Sequence, residues 1–232
     1  MQQRSSSSPA GVSSLKRIFI ASLRLFFILL YHQFAWTYDL VAYVVSLGAW
    51  KSWVQVVLPY LKGPRVLEIG FGPGHLQTSL HGRGFIVFGL DESAQMSRIT
   101  YRKLMRLEAS PKLVRGAARH LPFAGRSFDQ VVMTFPAEFL YDKATYTEIH
   151  RVLLPNGSAV LLPLAWITGR KPLERAAAWL NHIIGEASAW DESVLEPIQQ
   201  LGFTTHWEML DFPSSKVLLI KLTRQDNSSM SR

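Results

Sequence analysis

The stretch VLEIGFGPGHL, residues 66–76, constrains the fold of this chain more than any other part of the sequence. A short apolar run that carries Glu68 leads directly into glycines at positions 70, 72 and 74. Glycine tolerates positive φ angles and lets a ligand approach the main chain, so a strand that ends in a glycine turn before a helix is typical of a nucleotide site. The stretch therefore predicts an α/β domain with a ligand at this loop.

Strand and helix patterns alternate along the chain after residue 64. This alternation predicts a parallel sheet with helices on both faces. The last two strands lack an intervening helix, and the turn residues 213–215 between them predict an antiparallel hairpin. The predicted strands are 65–69, 85–90, 112–115, 128–134, 157–164, 203–211 and 216–223, and the predicted helices are 74–81, 93–107, 143–153 and 191–201.

The length of 232 residues fits one α/β domain with appendages. The absence of cysteine excludes disulfides, thiolate nucleophiles and zinc-thiolate sites, and it is compatible with a reducing cytoplasm. The predicted layout is a disordered tail at 1–14, apolar and basic helices at 15–60, the main domain at 61–223 with a cap insertion at 165–190, and a disordered tail at 224–232.

The formal net charge of +8 is unevenly distributed. Seven basic residues lie between Arg98 and Arg119, against Glu108 as the single acid. Such clustering favours an anionic partner, which can be a membrane surface, a nucleic acid or an acidic ligand. The spacing of Arg98, Arg102 and Arg106, four residues apart, favours the simpler interpretation of a solvated helix face.

The segment that begins at Lys16 is apolar and basic. Arg24 splits its apolar stretch and no small-residue cleavage site follows, which argues against a signal peptide. The window 25–50 is too polar at its centre for a membrane span. An interfacial helix fits better, with Arg17 and Arg24 towards lipid phosphates, and packing on the domain or on a dimer partner is the alternative. We expect a cytoplasmic protein, peripheral on the membrane if the helix is interfacial.

Asp91 ends the second predicted strand, about twenty residues after Gly70, at the sheet edge where ligands bind. An acid there accepts hydrogen bonds from a ribose, so the loop and the acid together predict an adenosine-bearing cofactor. A dinucleotide fingerprint would require glycine at His75, and a phosphate-binding loop would require a Gly-Lys-Ser/Thr ending. Without a diphosphate, the glycines fit an amino-acid tail whose ammonium group lies near Glu68.

Four segments in order, VLEIGFGPGHL, GLDES, LPFAGRSFDQVVMTF and IHRVLLPNGSAVLL, resemble the motifs of class I S-adenosylmethionine-dependent methyltransferases over roughly residues 60–223. The resemblance implies a doubly wound, Rossmann-like sheet of seven strands and S-adenosylmethionine as the cofactor. It also implies roles for site residues: Gly70, Gly72 and Gly74 line the methionine moiety, Asp91 holds the ribose hydroxyls, and Met96 lies near the adenine or in the helix core.

The chain departs from that family at the adenine site. The family usually has Gly-Asp-Ala where this chain has Gly116, Ala117 and Ala118, so the acid that contacts the adenine amino group is missing. The backbone amide of Ala118 could still contact adenine. A lost hydrogen bond of this kind costs about 0.5 to 1.5 kcal/mol, so we expect weaker binding rather than none.

Residues 38–53, YDLVAYVVSLGAWKSW, resemble the signature of ubiquinone/menaquinone-biosynthesis C-methyltransferases, with Val41, Ala42 and Trp50 in place of its Met, Asn and His. The second signature of that group is present in altered form at 151–157. By this resemblance Tyr38, together with the adjacent acid, closes over the cofactor or the reacting centre; a helix start is the alternative. The implied substrate is a small lipophilic acceptor, quinol-like or lipid-like.

Methyl transfer requires alignment of acceptor and methyl group and the exclusion of water. A phenolic or quinol acceptor would also benefit from a base. Glu138 and Tyr141, just past the fourth strand, are the predicted catalytic residues, and His150 and His182 are further candidates. No metal site is predicted.

Tryptophan is concentrated in two segments that are predicted to flank the same sheet edge. An aromatic-walled substrate cavity and a helical cap with its own core both fit this pattern. The tryptophans concerned are Trp36, Trp50, Trp53, Trp166, Trp179 and Trp190.

Two other functions stay open at this point. One is N-methylation of a phospholipid headgroup, and the other is a catalytically silent protein that binds the cofactor. A nucleic-acid substrate is not expected, because MTFPAEF at 133–139 lacks the Asn/Asp-Pro-Pro-aromatic motif of amino-methylating DNA enzymes. The sequence does not predict an oligomeric state.

Overall fold

A computed structural model of the chain describes residues 43, 46–135, 142–169 and 190–225. Seven strands form one sheet in the order β3-β2-β1-β4-β5-β7-β6. The first five strands in this order are parallel, and β7 runs antiparallel to both of its neighbours. The doubly wound sheet with a C-terminal antiparallel hairpin is therefore confirmed. The strands are β1 Arg65–Ile69, β2 Ile86–Asp91, β3 Lys112–Arg115, β4 Phe128–Thr134, β5 Leu153–Ile167, β6 Phe203–Phe212 and β7 Ser215–Arg224.

The helices begin where the sequence supplies caps. Ser93 accepts a hydrogen bond from the Met96 amide, and Asp142 accepts one from the Ala144 amide, so each side chain satisfies an exposed helix donor. The described helices are α1 Trp50–Gln55, α2 His75–Gly82, α3 Ala94–Met105, α4 Lys143–Val152 and α5 Glu196–Gln199, with 3₁₀ turns at Leu58–Tyr60 and Glu192–Leu195.

Two predicted elements differ from the structure by more than two residues. The predicted helix 191–201 is a 3₁₀ turn followed by the short α5, whose first turn contains Pro197. Strand β5 begins at Leu153, four residues before the predicted start, because Leu153 pairs with Phe128. The following residues form an irregularity with Asn156 at φ 60°, and regular pairing resumes at Ser158.

The core consists of two clusters on opposite faces of the sheet. Consecutive residues of β5 belong to different clusters: Leu161 lies in one and Leu162 in the other. Side chains of α1 and α2 complete one cluster, and those of α4 complete the other. Helix α2 contacts both α1 and α3, so these three helices lie side by side in one layer.

Among the described residues, no helix has the length and the apolar composition needed to cross a bilayer. The predicted interfacial helix and the tail at 1–14 lie outside the described residues. Strand β7 continues through Arg224, one residue into the predicted C-terminal tail.

Candidate active site

The glycine loop between β1 and α2 has a backbone that other residues rarely adopt. Gly70, Gly72 and Gly74 have φ angles of 73°, 50° and 77°. A Cβ atom at Gly74 would lie 2.4 Å from Cγ2 of Thr100, whereas a Cβ at Gly72 would meet nothing within 4 Å. Glycine at 74 is therefore required by packing, and glycine at 72 leaves open space beside the loop.

Asp91, at the end of β2, holds this loop in place. Its Oδ2 accepts a hydrogen bond of 2.8 Å from the Gly72 amide, and its Oδ1 accepts one of 2.8 Å from the Ser93 amide. The side chain is 1% exposed. These two bonds tie the end of β2 to the glycine loop and to the start of α3.

Helix α3 anchors the loop from the other side. The Thr100 hydroxyl donates to the Gly72 carbonyl at 2.8 Å, and the Lys103 ammonium donates to the Pro73 carbonyl at 2.8 Å. The sequence analysis missed both residues, because nothing in the local pattern of a helix indicates which of its polar side chains reaches a distant loop.

Glu68 on β1 is buried beneath the loop and is 1% exposed. Burial raises its pKa to about 8; a hydrogen bond with Gln77 opposes this shift and the nearby Asp91 charge adds to it. Two buried oxygens here, Glu68 Oε2 and Gln77 Oε1, have no hydrogen-bond partner within the described part of the chain. A proton on Glu68 would supply one missing donor, and a cation at the loop would favour its ionised form.

A groove of about 840 Å³ lies at the carboxyl ends of β2 and β3. This size suits a small ligand or cofactor. Ala117 lines the groove at the position where the related family has an acid. Ala118, three residues after β3, is buried. Met96 is fully buried on the inner face of α3. The groove is lined by Glu92, Ser93, Ala94, Gln95, Arg98, Arg115, Gly116 and Ala117.

The segment that follows the groove, Leu121 to Phe123, is fixed by two residues of α4. Glu148 accepts a hydrogen bond from the Leu121 amide at 2.8 Å, while Arg151 donates to the Leu121 and Phe123 carbonyls at 2.9 and 2.8 Å. Glu148 and Arg151 also pair at 2.7 Å, and the hydrogen bond from Arg151 lowers the pKa of Glu148. The loop between β3 and β4 therefore has a defined path although it contains no helix.

Phe135 follows β4 at the same sheet edge and has φ 53°, a conformation that is strained for an aromatic residue. Its amide donates to the Leu162 carbonyl at 2.7 Å. Trp50 of α1 stacks on its ring with a centroid distance of 4.2 Å. Trp53 is buried and donates to the Ser215 hydroxyl at 2.9 Å, which fixes α1 on the sheet. An aromatic surface thus lies at the carboxyl end of β4.

The structure divides the described tryptophans of the two predicted segments. Trp50 and Trp53 belong to the cluster on the α1 face, whereas Trp166 and Trp190 pack on the opposite face. They do not line a single cavity, because neighbouring residues of β5 point to opposite faces of the sheet. Trp36 and Trp179 lie outside the described residues.

Four of the predicted residues, Tyr38, Glu138, Tyr141 and His182, also lie outside the described residues. His150 packs edge-on against Phe203 with a centroid distance of 5.2 Å. Burial, with a smaller effect of Arg224, lowers its pKa. His150 is half-buried, and these contacts are those of a histidine that packs at the edge of the core. Within the described ranges, no group of three or more potential metal ligands is present.

Comparison with known proteins gives a consistent result. A family model described as a methyltransferase domain matches residues 67–161. The chain is 33% identical over 185 residues to demethylmenaquinone methyltransferase of Lactiplantibacillus plantarum, which covers 75% of this chain and 68% of the relative. It is 30% identical to a ubiquinone/menaquinone biosynthesis C-methyltransferase of Blochmanniella floridana, over 60% of this chain and 59% of that relative. The chain therefore matches about three-fifths to two-thirds of the length of these relatives.

Solved structures share the fold. Geranyl diphosphate C-methyltransferase of Streptomyces coelicolor, determined with S-adenosylhomocysteine, superposes with a TM-score of 0.58 at 15% identity, and the match covers 75% of this chain and 78% of that one. The structure of a Bacillus protein, YcgJ, also gives a TM-score of 0.58 at 15% identity, with coverage of 76% and 99%.

Proposed function

Because this chain belongs to the class I S-adenosylmethionine-dependent methyltransferases, we propose that it transfers the methyl group of S-adenosylmethionine to a small lipophilic acceptor of the quinol class. S-adenosylmethionine is the cofactor of the family. The acceptor is inferred from two sources. The first is the pair of relatives named for quinone methylation, and the second is the aromatic surface at the end of β4.

The residues around the glycine loop fit the cofactor. Open space lies over Gly72, and the buried Oε2 of Glu68 lacks a donor among the described residues. We assign the amino-acid tail to this part of the loop, with its ammonium group near Glu68, since a cation there would compensate the burial of the carboxylate. Asp91 would receive the ribose hydroxyls, and the groove between Glu92 and Ala117 would receive the adenine.

Within the structure, the aromatic surface is the single observation that supports the acceptor assignment. Trp50 and Phe135 are stacked at 4.2 Å and both remain partly exposed. The strained φ of Phe135 is maintained by its hydrogen bond to β5, and such strain concentrates at functional sites. A planar, apolar acceptor ring would stack against this surface, and the contact would exclude water from the reacting atoms.

The bound cofactor supplies an electrophilic methyl group on a sulfonium. The residues of the chain have the task of orienting the acceptor towards it and of keeping the site dry. A quinol acceptor also gives up a hydroxyl proton, for which we retain Glu138 and Tyr141 as the proposed bases. Tyr38 is proposed to close over the site from the N-terminal side. We place the protein in the cytoplasm, peripheral to a membrane that contains the acceptor.

The absence of an acid at Ala117 supports a second candidate, a silent protein that binds the cofactor without turnover. The same groove would then bind the cofactor without delivering it to a reaction. Headgroup N-methylation of phospholipids has no described residue that specifically favours it.

Incubation of the full chain with S-adenosylmethionine and a prenylated naphthoquinol, followed by mass spectrometry, tests the proposal. We expect the acceptor to gain the mass of one methyl group. A Trp50→Ala variant should raise the KM for the acceptor several-fold while the Kd of the cofactor stays unchanged, because stacking with a planar ring contributes about 1 kcal/mol.

Tight binding of the cofactor without any methylated product in quinol or lipid extracts would favour the silent protein instead. Product formation with unchanged kinetics in Trp50→Ala would remove the aromatic surface from the acceptor site.

A further inference from the structure

Helix α3 presents its outer face to solvent with an unusual composition. Met96, Thr100 and Leu104 are its buried residues. At 3.6 residues per turn, Arg98, Arg102 and Met105 lie on the opposite side of the helix. Tyr101 and Arg106 flank them, and Leu107 follows just past the helix end. We call this set of six outer residues, from Arg98 to Leu107, the α3 surface.

The apolar members of the α3 surface are far more exposed than their residue types require. Tyr101, Met105 and Leu107 are 49%, 51% and 59% exposed. In the described ranges, only two other large apolar side chains, Tyr43 and Ile86, are exposed to a similar degree. Core packing does not account for them, because they point away from the sheet.

The arginines of the α3 surface also differ from the basic residues around them. Lys103 donates to the Pro73 carbonyl, Arg115 donates to the Glu92 carbonyl, and Lys112 lies 4.9 Å from the centre of the Phe88 ring. Arg102 and Arg106 are exposed, and neither takes part in an ion pair within the part of the chain that the structure describes. Like charges spaced four apart on a helix repel one another, so the row is not explained by helix stability.

We propose that the α3 surface docks on an anionic lipid bilayer. Arginines and apolar side chains in one helical face match both components of such a surface, because the guanidinium groups meet lipid phosphates and the apolar side chains enter the headgroup boundary. A nucleic acid would use the arginines, but its backbone offers nothing to Met105 and Leu107. The mixture of charge and apolar area is what selects the lipid.

The position of α3 gives this surface a role beside the cofactor groove. Arg98 lines the groove and belongs to the α3 surface, so docking would bring the groove close to the bilayer. Helix α3 also lies in the same layer as α1, which directly follows the N-terminal segment. This inference does not depend on the identity of the acceptor.

Co-flotation of the full chain with vesicles tests the proposal. We expect binding to vesicles of phosphatidylcholine with phosphatidylglycerol, little binding to phosphatidylcholine alone, and weakening by salt. The variant R102E/R106E should bind the anionic vesicles at least about tenfold more weakly, since each basic residue near an anionic membrane contributes about 1 kcal/mol to binding. R102K/R106K should restore binding. Neither variant touches the groove, so cofactor affinity should be unchanged.

Two further variants isolate the surface. R126E/K143E makes the same charge change at exposed residues on the α4 side and should bind vesicles about as wild type does. M105S/L107S should bind anionic vesicles several-fold more weakly in high salt, where the charge contribution is screened. Unchanged vesicle binding by R102E/R106E would overturn the proposal. A second pair of results would also overturn it. In that case M105S/L107S would bind vesicles as the wild type does, and R102E/R106E would lose affinity for duplex DNA or RNA.

Discussion

Two buried polar side chains on neighbouring strands are treated very differently by this fold. Gln130 on β4 lies opposite Val66, two residues before Glu68 on β1. Gln130 is 5% exposed and fully bonded: its oxygen accepts from the Lys62 and Gly63 amides, and its nitrogen donates to the Tyr60 carbonyl and the Ser158 hydroxyl. Glu68 is buried more deeply, yet one of its oxygens has no partner in the described ranges.

We interpret the difference as one between a structural polar group and a polar group that binds a ligand. A buried polar group is normally satisfied, because an unsatisfied one costs about 1 to 3 kcal/mol. Gln130 is satisfied by three backbone groups and the Ser158 hydroxyl, and it thereby fixes the segment that leads into β1. Within the described residues Glu68 is not fully satisfied, and we infer that a cationic ligand at the glycine loop would complete its site.

The largest expected effect concerns the satisfied side chain. Gln130→Ala removes four hydrogen bonds and leaves backbone groups of residues 60–63 without partners, so we expect a loss of about 3 kcal/mol in the free energy of unfolding. Chemical denaturation would measure it. The Kd of S-adenosylhomocysteine should stay within twofold of wild type, since the defect lies at the amino ends of the strands. A large fall in affinity would break the comparison.

The next effect concerns the open space over the loop. Gly72→Ala puts a methyl group where the ligand is expected, so cofactor affinity should fall about a hundredfold by calorimetry. Gly84→Ala is the matched control, because Gly84 also has positive φ, 80°, with no atom within 4 Å of an added Cβ. Both variants should lose about 1 kcal/mol or somewhat more of stability from strain. Equal cofactor affinity in the two would contradict the assignment of the loop.

Glu68→Gln sharpens the comparison through pH. The pKa of Glu68 in the folded protein is about 8, above its ordinary value of 4.5, so the unfolded chain loses this proton first as the pH rises. The free energy of unfolding of the wild type should therefore decrease as the pH rises from about 4.5 to about 8, by up to about 1.4 kcal/mol per pH unit, and level off above that range.

Thermal unfolding of the two proteins across this range measures the effect. Glu68→Gln should lack this decrease and be the more stable protein at pH 8. It should also bind the cofactor about tenfold more weakly, because the amide carries no charge for the ammonium group. Parallel stability curves for the two proteins would show that Glu68 does not titrate as inferred.

The smallest effect is a gain. Ala117→Asp restores an acceptor to the groove at the position where the family has an acid. We expect cofactor affinity to rise by up to about tenfold, the value of one added hydrogen bond, with little change in stability. Titration calorimetry with S-adenosylhomocysteine measures it, and Ala124→Asp, at an exposed loop position, serves as the control. Weaker binding by Ala117→Asp would place the adenine elsewhere.

Local pattern predicts much of this fold. Strands β1, β3 and β4 have the predicted bounds, because short apolar runs between breakers determine them. The early start of β5 was missed, since Pro155-Asn156-Gly157 has the composition of a turn and only the pairing of Leu153 with Phe128 makes the segment a strand.

The site divides in the same way. The glycines and Asp91 are recognisable from residue type and spacing, because the loop demands positive φ and an acid at the strand end. Three features depend on contacts between segments distant in the chain: the anchors Thr100 and Lys103, the bonds of Glu148 and Arg151 to residues 121–123, and the unpartnered oxygen of Glu68. No local pattern specifies such contacts.

The most direct test of the central claim is calorimetric titration of the protein with S-adenosylhomocysteine at neutral pH in two buffers of different ionisation enthalpy. The account predicts binding accompanied by proton release, as Glu68 ionises beside the ligand ammonium group, and a Glu68→Gln variant that binds more weakly and releases no proton. An absence of binding heat in both buffers, together with an unchanged melting temperature at saturating ligand, would contradict it.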